Sequence, residues 1–299
     1  MEFTEPFFDE TVRRCLGHPF RLLFRRETDM EAVRRVVAER PGLGPTGFIF
    51  HMSRCGSTLV SQMLAAVPEH LVLSEAGPLD SVLRARSARP DLSDAERGAW
   101  LRWMLGALGQ PRTAEQHRLF VKFDAWSTLD LPLIRHTFPD VPWIFVHRDP
   151  VEVLVSHSRR RGAHVIPGVL PPEAIPVSSD PEKPIPLVDY AARVLARICE
   201  AALDMQADPL ATFVDHTSLR RFVVKDLPAR WSFPMTAEAA ARMSARAERD
   251  AHNPVLPFGP DRATARAHAS PEIEAAAERW LTPLYERLLA APGAVGRAS

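Results

Sequence analysis

The sequence predicts an α/β fold in which a central, mostly parallel sheet is flanked by helices and followed by a helical C-terminal part. Three observations predict it. Short apolar runs of strand length recur along the chain, and apolar residues at helical spacing follow them. Strands that alternate with helices in this way form parallel sheets covered on both faces. The chain has 299 residues, of which 46% are apolar, and this is enough to bury a full core.

The elements follow one another in a regular order. The first 45 residues have a helical pattern that ends in a proline- and glycine-rich stretch at 41–45. Strands are then predicted at residues 48–50, 71–73, 119–121, 143–146 and 211–214. Between residues 167 and 186, seven of the twenty residues are proline, which predicts a long ordered loop or lid. Helices are predicted over 188–205 and through most of 236–289.

Charge and cysteine content exclude several classes of function. Lysine plus arginine and aspartate plus glutamate each total 37, so the chain lacks the basic surplus of a nucleic-acid binder. Three scattered cysteines suggest neither a disulfide framework nor a zinc site, which fits a reducing cytoplasm. The N-terminus has no basic segment of an export signal, and no apolar run approaches the roughly 18 residues that span a bilayer. We therefore expect a cytoplasmic protein with neither a nucleic acid nor a membrane as partner.

Lysine is rare in this chain. Only Lys122, Lys183 and Lys225 are lysines, which together with abundant alanine and proline indicates a GC-rich bacterial genome. A lysine used despite that bias hints at a position where the planar guanidinium of arginine would not serve equally well. Lys122, which follows the predicted strand at 119–121, is therefore a candidate functional residue.

The turn after the first predicted strand is suited to binding a phosphate or sulfate group. Gly56, Ser57 and Thr58 precede a helical pattern, so backbone amides, two hydroxyls and the positive helix end point at one place, and Arg54 adds a cation. The loop of nucleotide triphosphatases, G-x-x-x-x-G-K-[ST], would need glycine at His51 and lysine at Ser57. The missing lysine argues against an ordinary ATPase or GTPase. A plain strand-to-helix connection capped by Ser57 is the other interpretation of this turn.

A second candidate anion site follows the predicted strand at 143–146. Asp149 is predicted to cap the next helix, Pro150 suits its first position, and Glu152 lies where it would close a capping box. Arg148 thus stands between the carboxyl end of a strand and the start of a helix, where open α/β sheets bind ligands. An arginine that merely pairs with a surface acid is the alternative.

These two stretches resemble the nucleotide-binding motifs of sulfotransferases that use 3′-phosphoadenosine-5′-phosphosulfate (PAPS). Residues 54–59, RCGSTL, are similar to the 5′-phosphosulfate loop of that family, with Cys55 in place of the usual serine. Arg148, followed eight residues later by Ser156, is similar to the stretch that binds the 3′-phosphate. The resemblance implies a P-loop fold, PAPS as co-substrate and no metal. It also implies these nucleotide-binding residues: Arg54, Cys55, Gly56, Ser57, Thr58, Arg148 and Ser156.

The resemblance further implies which residues carry out the chemistry. Lys122 stands where the family has a catalytic lysine, so that it and Arg54 would stabilise the charge on the leaving nucleotide. Glu75 looks like the catalytic glutamate of tyrosylprotein-type and some bacterial members. Asp124 occupies the position of the catalytic histidine in the aryl and alcohol sulfotransferases. We favour Glu75 as the base and keep two alternatives, Asp124 and neither of these carboxylates. Burial alone would raise the pKa of a carboxylate toward a useful range.

Other candidate residues are less specific. The family's third nucleotide element is a basic, glycine-containing loop near the C-terminus, for which residues 253–262 with Arg262 or Arg266 are the candidates here. Solvent-exposed helix residues are the other interpretation of these arginines. Three histidines near the motifs are expected to pack or form hydrogen bonds: His51, His147 and His157. Four tryptophans are candidates for an acceptor pocket or for the core: Trp100, Trp103, Trp126 and Trp143.

The predicted function is sulfuryl transfer from PAPS to a hydroxyl or amine of a small-molecule acceptor, whose identity the sequence leaves open. We predict one domain, 1–299, with a helical extension (1–45), a nucleotide-binding core (47–160), a proline-rich loop or lid (163–187) and a helical remainder (188–290). Two alternatives stay open. One is a kinase-like phosphotransferase that uses ATP, and the other is a nucleotide-binding protein without catalysis.

Overall fold

The fold is described by a computed structural model, which covers residues 3, 5–25, 27–170, 175, 177, 185–251 and 267–296. At its centre lies a sheet of five strands in the order β2-β3-β1-β4-β5, in which every neighbouring pair is parallel. The predicted parallel sheet is confirmed. The strands are β1 (Pro45–His51), β2 (His70–Ser74), β3 (Arg118–Lys122), β4 (Trp143–His147) and β5 (Ala211–Asp215).

Helices flank this sheet. The helices before β4 are α1 (Phe8–Leu16), α2 (Pro19–Leu23), α3 (Met30–Glu39), α4 (Ser57–Ala65), α5 (Gly77–Leu83), α6 (Asp94–Leu108) and α7 (Leu131–Thr137). Those after β4 are α8 (Pro150–Arg159), α9 (Leu187–Asp204), α10 (Leu219–Lys225), α11 (Leu227–Arg230), α12 (Ala237–Ala247), α13 (Pro271–Trp280) and α14 (Thr282–Ala290). None of these helices combines the length and apolarity needed to cross a bilayer.

The strands are apolar because both faces of the sheet are covered. In β1, Phe48, Ile49 and Phe50 are completely buried, and the flanking strands β3 and β4 contribute Phe120 and Phe145, which are equally buried. A strand without a solvent-facing side has no reason for polar alternation, so its sequence is a continuous apolar run. The same burial fixes the sheet as the centre of the core.

The strand order creates one crevice at the carboxyl edge of the sheet. From β1 the chain crosses to β2 on one side, whereas from β4 it continues to β5 on the other side. Between β1 and β4 the connections therefore diverge, and open α/β sheets bind ligands at such a point. The two predicted anion-binding turns leave these two strands.

Two predicted segments fall largely or wholly outside the described residues. Of the proline-rich stretch at 167–186, the structure describes residues 167–170, 175, 177, 185 and 186. The candidate third nucleotide element at 253–262 and the nearby Arg266 lie outside the described residues altogether. Both stay predictions, as do the domain boundaries.

Candidate active site

The loop between β1 and α4 has an unusual backbone. Gly56, the residue before the helix, has a φ of 93°, and Ser53 and Arg54 have φ values of 76° and 51°. A side chain at Gly56 would also be obstructed, because a Cβ atom there would lie 2.6 Å from Nδ1 of His216. Left-handed backbone and close approach together explain why glycine stands at this position.

Positive φ angles concentrate at the candidate site. Among the described residues, four that are not glycine have a positive φ, namely Ser53, Arg54, Glu75 and Ser232. Three of these four belong to or adjoin the predicted anion-binding and catalytic positions. Because such conformations cost of order 1–3 kcal/mol each, they persist where the surrounding structure enforces them, and they cluster at functional sites.

Cys55 contributes its backbone to this loop and turns its side chain into the core. The thiol is completely buried and donates a hydrogen bond to the carbonyl oxygen of Val146 in β4 at 3.1 Å. Burial raises the pKa of the thiol to about 12. The carbonyl of Cys55 accepts from Nδ1 of His216 at 2.8 Å. The Cys55 side chain therefore points away from the loop. Ser57 and Thr58 begin α4, where the first amides of a helix have no partner within the helix.

In the turn between β4 and α8, Arg148 forms an ion pair with Glu152. Asp149 caps α8 as predicted, because its carboxylate accepts from the amides of Val151 and Glu152 at 3.1 and 3.2 Å. The predicted capping box is wrong in its other half. Glu152 accepts from Nε of Arg148 at 2.6 Å instead of reaching back to the cap. Both side chains of this ion pair are nine-tenths buried, so the orientation of Arg148 is fixed.

The two turns meet directly. Nε of Arg54, in the loop after β1, donates a hydrogen bond to Oγ of Ser156 in α8 at 2.8 Å. These residues are 102 positions apart in the sequence. Their contact lies where the connections from β1 and β4 diverge, and it brings the two predicted phosphate-binding elements into one site.

Lys122 and Glu75 form a second pair at the same edge of the sheet. Strands β2 and β3 are neighbours, and the amide of Glu75 donates to the carbonyl of Lys122 at 2.8 Å, which continues their ladder. The ammonium of Lys122 is completely buried and donates to Oε1 of Glu75. The ring of Phe7 lies 5.3 Å from the same ammonium. Lys122 is therefore a buried residue and not a surface lysine at the end of a strand.

His51, at the end of β1, connects the loop between β1 and α4 to Glu75. Its Nδ1 accepts from the amide of Ser53 at 3.0 Å, so the ring proton resides on Nε2. Nε2 donates to the carbonyl of Phe123 at 3.1 Å and lies 3.4 Å from Oε1 of Glu75. Burial lowers the pKa of His51, and the charge of Lys122 lowers it further, so the ring is neutral.

The two candidate bases have opposite pKa shifts. Burial by itself would raise the pKa of Glu75, but the charge of Lys122 and the contact with His51 outweigh it and bring the pKa to about 2. Burial raises the pKa of Asp124 well above its usual value, and the negative charges of Glu75 and Asp80 raise it further. Paired carboxylates whose pKa values are pushed apart are a common arrangement for acid and base chemistry.

The structure adds residues that the sequence analysis did not single out. His216 follows β5 and contacts the loop between β1 and α4. Its place at the carboxyl end of a fifth parallel strand was the one signal in the sequence that could have indicated it. Asp80 accepts from Nε1 of Trp126 at 2.7 Å, and the Trp126 ring lies 5.4 Å from that of His164. His164 is buried, and this burial lowers its pKa to about 4.

Several of the less specific candidates have structural roles. Trp143 is completely buried in β4 and its Nε1 donates to Asp208 at 2.9 Å. His147 is buried beside Tyr285, whose hydroxyl donates to Asp215 at 2.8 Å and ties α14 to the sheet. His157 is buried in α8 and its Nδ1 accepts from the amide of Gly162. Within the described residues, no three histidine, cysteine or acidic side chains are grouped so that they could hold a metal ion.

Several solved structures are similar in fold to this chain. No family model and no curated protein matches the sequence. Sulfotransferase STF9 from Mycobacterium avium has a similar structure, with 16% identity, a TM-score of 0.54 and coverage of 86% of this chain and 80% of that one. Sulfotransferase STF1 from Mycobacterium tuberculosis H37Rv has 14% identity, a TM-score of 0.48 and coverage of 84% and 81%. The sulfotransferase domain from the Synechococcus PCC 7002 olefin synthase has 17% identity, a TM-score of 0.44 and coverage of 81% and 96%. By its likeness to the Mycobacterium avium structure, the chain has a sulfotransferase fold.

Proposed function

We propose that this protein transfers a sulfuryl group from PAPS to a hydroxyl or amine of a small-molecule acceptor. The observation that carries the proposal is the hydrogen bond of 2.8 Å between Arg54 and Ser156. In the sulfotransferase motifs that these two stretches resemble, one residue serves the 5′-phosphosulfate and the other the 3′-phosphate. A site for one molecule that carries both groups requires such proximity.

The residues around this contact fit such a donor. Arg54, together with the amides and hydroxyls of Ser57 and Thr58 at the N-terminus of α4, provides donors for the phosphosulfate. Arg148, held by Glu152, and Ser156 provide donors for the 3′-phosphate. PAPS, when bound, supplies the sulfuryl group. Cys55 would contribute its backbone alone, because its thiol bonds to β4.

The catalytic groups would act as follows. The acceptor oxygen or nitrogen forms a bond to sulfur while the bond from sulfur to the bridging oxygen breaks, and the acceptor's proton passes to a carboxylate of the protein. Arg54 and Lys122 stabilise the charge that develops on the departing phosphate, since cations fixed in a dry site are worth more than in water. Lys122 is well suited to this because its ammonium is completely buried.

Glu75 is our favoured base. It is ionised at neutral pH and therefore able to take a proton, although its pKa of about 2 makes it a weak base while Lys122 is bound to it. An anionic donor would compete for the ammonium of Lys122, and a weaker ion pair raises the pKa of Glu75. Asp124 is the alternative, because its raised pKa is closer to that of an efficient base. The variants Glu75→Gln and Asp124→Asn separate the two, since the base is the one whose loss abolishes turnover while nucleotide binding persists.

A binding titration tests the nucleotide part of the proposal. Purified protein is titrated with 3′-phosphoadenosine-5′-phosphate and, separately, with ATP and magnesium, and the melting temperature is followed. We expect stabilisation by the former alone. Stabilisation by ATP alone would favour the kinase-like alternative and refute the proposed function.

The control variants must leave the fold intact. Arg148→Ala alone would leave Glu152 buried without its partner, so the double variant Arg148→Ala, Glu152→Ala is the better choice. It is expected to lose the response to the nucleotide. If binding is established, radiolabelled PAPS with panels of alcohols, phenols and amines identifies the acceptor, and transfer to none of them with retained binding would favour the non-catalytic alternative.

A further inference from the structure

The N-terminal part of the chain carries an exposed surface that is both apolar and basic. Every residue from 16 to 25 is exposed. We call the five large apolar side chains in this stretch the N-terminal apolar surface, and their exposed fractions are 36% for Leu16, 62% for Phe20, 57% for Leu22, 79% for Leu23 and 66% for Phe24. Single exposed apolar residues are ordinary, but five within nine consecutive positions form a patch.

Within the described residues, the helix at the centre of this surface contributes no buried side chain to the core. Helix α2, which carries Phe20, Leu22 and Leu23, has no buried residue, although α1 before it buries Phe8 and Thr11. The rings of Phe20 and Phe24 lie 4.4 Å apart, so they cluster with each other while remaining exposed. Large apolar side chains that stay this exposed point to an external partner.

The charge around the N-terminal apolar surface indicates which kind of partner it binds. Residues 11–26 contain five arginines, Arg13, Arg14, Arg21, Arg25 and Arg26, and no acidic residue. The whole chain has a formal net charge of zero, so this is a local basic concentration. Arg14 is paired with Glu5 at 2.8 Å, whereas Arg13, Arg21 and Arg25 are exposed beside the apolar side chains.

We propose that the N-terminal apolar surface binds the headgroup region of an anionic lipid bilayer. Phenylalanine and leucine enter the boundary between headgroups and acyl chains, and the arginines bind the anionic headgroups, which is the composition of an interfacial helical segment. A second copy of this chain is a poorer partner, because a symmetric contact would bring like-charged arginines together. This proposal departs from the sequence-based expectation of no membrane partner, which rested on the missing export signal and spanning segment, whereas an interfacial segment needs no such length.

If the N-terminal apolar surface binds a bilayer, its position would also bring the candidate active site close to that bilayer. The residue before α1, Phe7, contacts the ammonium of Lys122 in the candidate active site, and α1 leads directly into α2. A protein bound through α2 would therefore have this end of the sheet close to the bilayer. An acceptor that is itself a lipid or dissolves in the bilayer would fit this arrangement. That consequence rests on the proposed function, whereas the binding to lipid does not.

The test is co-sedimentation of the 299-residue chain with sucrose-loaded vesicles. One set contains phosphatidylcholine alone, and the other contains roughly one part phosphatidylglycerol to three parts phosphatidylcholine. We expect binding to the anionic vesicles, at least tenfold weaker binding to the neutral ones, and a decrease with added salt. Nucleotide is absent, so failure here leaves the proposed function untouched.

Matched variants locate the binding surface. Leu23→Asp and Arg21→Glu should each reduce the apparent vesicle affinity at least tenfold, whereas Val36→Asp and Arg102→Glu, at exposed positions elsewhere, should not. Circular dichroism should show all four folded, because none of these residues is buried. No binding to anionic vesicles, equal binding to both kinds, or binding insensitive to Leu23→Asp would each overturn the proposal. The proposal would also be overturned if the protein dimerises in solution, loses this dimerisation in Leu23→Asp and does not bind vesicles.

Discussion

The side chain of Arg54 donates a hydrogen bond to Ser156 across the crevice between β1 and β4, with 2.8 Å between Nε and Oγ. This single contact joins two motifs that the sequence separates by about a hundred residues. Each motif by itself permits an ordinary structural interpretation. Their meeting at the point where the strand connections diverge favours a shared ligand.

Replacing Ser156 by alanine should weaken the binding of 3′-phosphoadenosine-5′-phosphate about tenfold or more, because a hydrogen bond to a charged group contributes about 1.5–3 kcal/mol. Isothermal titration calorimetry measures the change. Ser158→Ala is the matched control on the same helix, since the Ser158 hydroxyl only donates to the carbonyl of Val155 at 2.8 Å. Equal affinities for both variants would contradict the role of Ser156.

The ion pair of Lys122 and Glu75 should contribute measurably to the free energy of unfolding. Lys122→Met is expected to lower the free energy of unfolding by about 3–5 kcal/mol, because it leaves a largely buried carboxylate without its partner. Urea denaturation measures this. The double variant Lys122→Met, Glu75→Gln should recover most of the loss, since the remaining amide carries no charge. If the double variant is no more stable than the single one, the cost comes from lost packing and not from an unpaired charge.

Asp124 should make stability depend on pH. Its pKa is raised in the folded protein, so the folded state binds the proton more tightly than the unfolded one. Stability from this group is therefore present below the unfolded pKa, near 3.8, and is lost as pH rises toward the folded pKa. Asp124→Asn should consequently be more stable than the native protein at neutral pH, and the difference should shrink as pH falls to about 4.

The measurement is urea denaturation of both proteins at a series of pH values. Asp204→Asn, at an exposed position on α9, serves as the control for removing a carboxylate elsewhere on the protein. A constant difference between Asp124→Asn and the native protein across the series would mean that Asp124 titrates alike in the folded and unfolded states.

Gly56 should tolerate substitution less well than a glycine with similar backbone and free space. Gly168 has a φ of 77°, and a Cβ atom added there would meet nothing within 4 Å, so Gly168→Ala should cost about 1–2 kcal/mol for the backbone alone. Gly56→Ala adds an obstruction by His216 and Leu219, whose nearest atoms would lie 2.6 and 2.9 Å from the new Cβ. Overpacking should add about 1–3 kcal/mol and weaken nucleotide binding. Thermal unfolding compares the stability of the two variants. Equal losses of stability would show that the loop after β1 moves to accommodate the new Cβ atom at little cost.

The sequence by itself determined the sheet and the positions of its connections. Strands buried on both faces are apolar throughout, so each of the five predicted runs lies within a strand of the structure. Sequence motifs also predicted correctly those contacts that form within a single turn of backbone, such as the cap of α8 by Asp149. The order of the strands could not be read from these runs, because all of them have the same apolar character.

Only the tertiary structure decided which side chains meet. The sequence placed Glu152 in a capping box, but Arg148 competes for the same carboxylate and forms a charged pair in a buried setting. It could not show that Cys55 faces the core, that Lys122 is buried against Glu75, or that His216 limits the space at Gly56. The physical reason is that periodicity reports the burial of a segment, whereas pairing and pKa depend on distances between residues brought together by strand order.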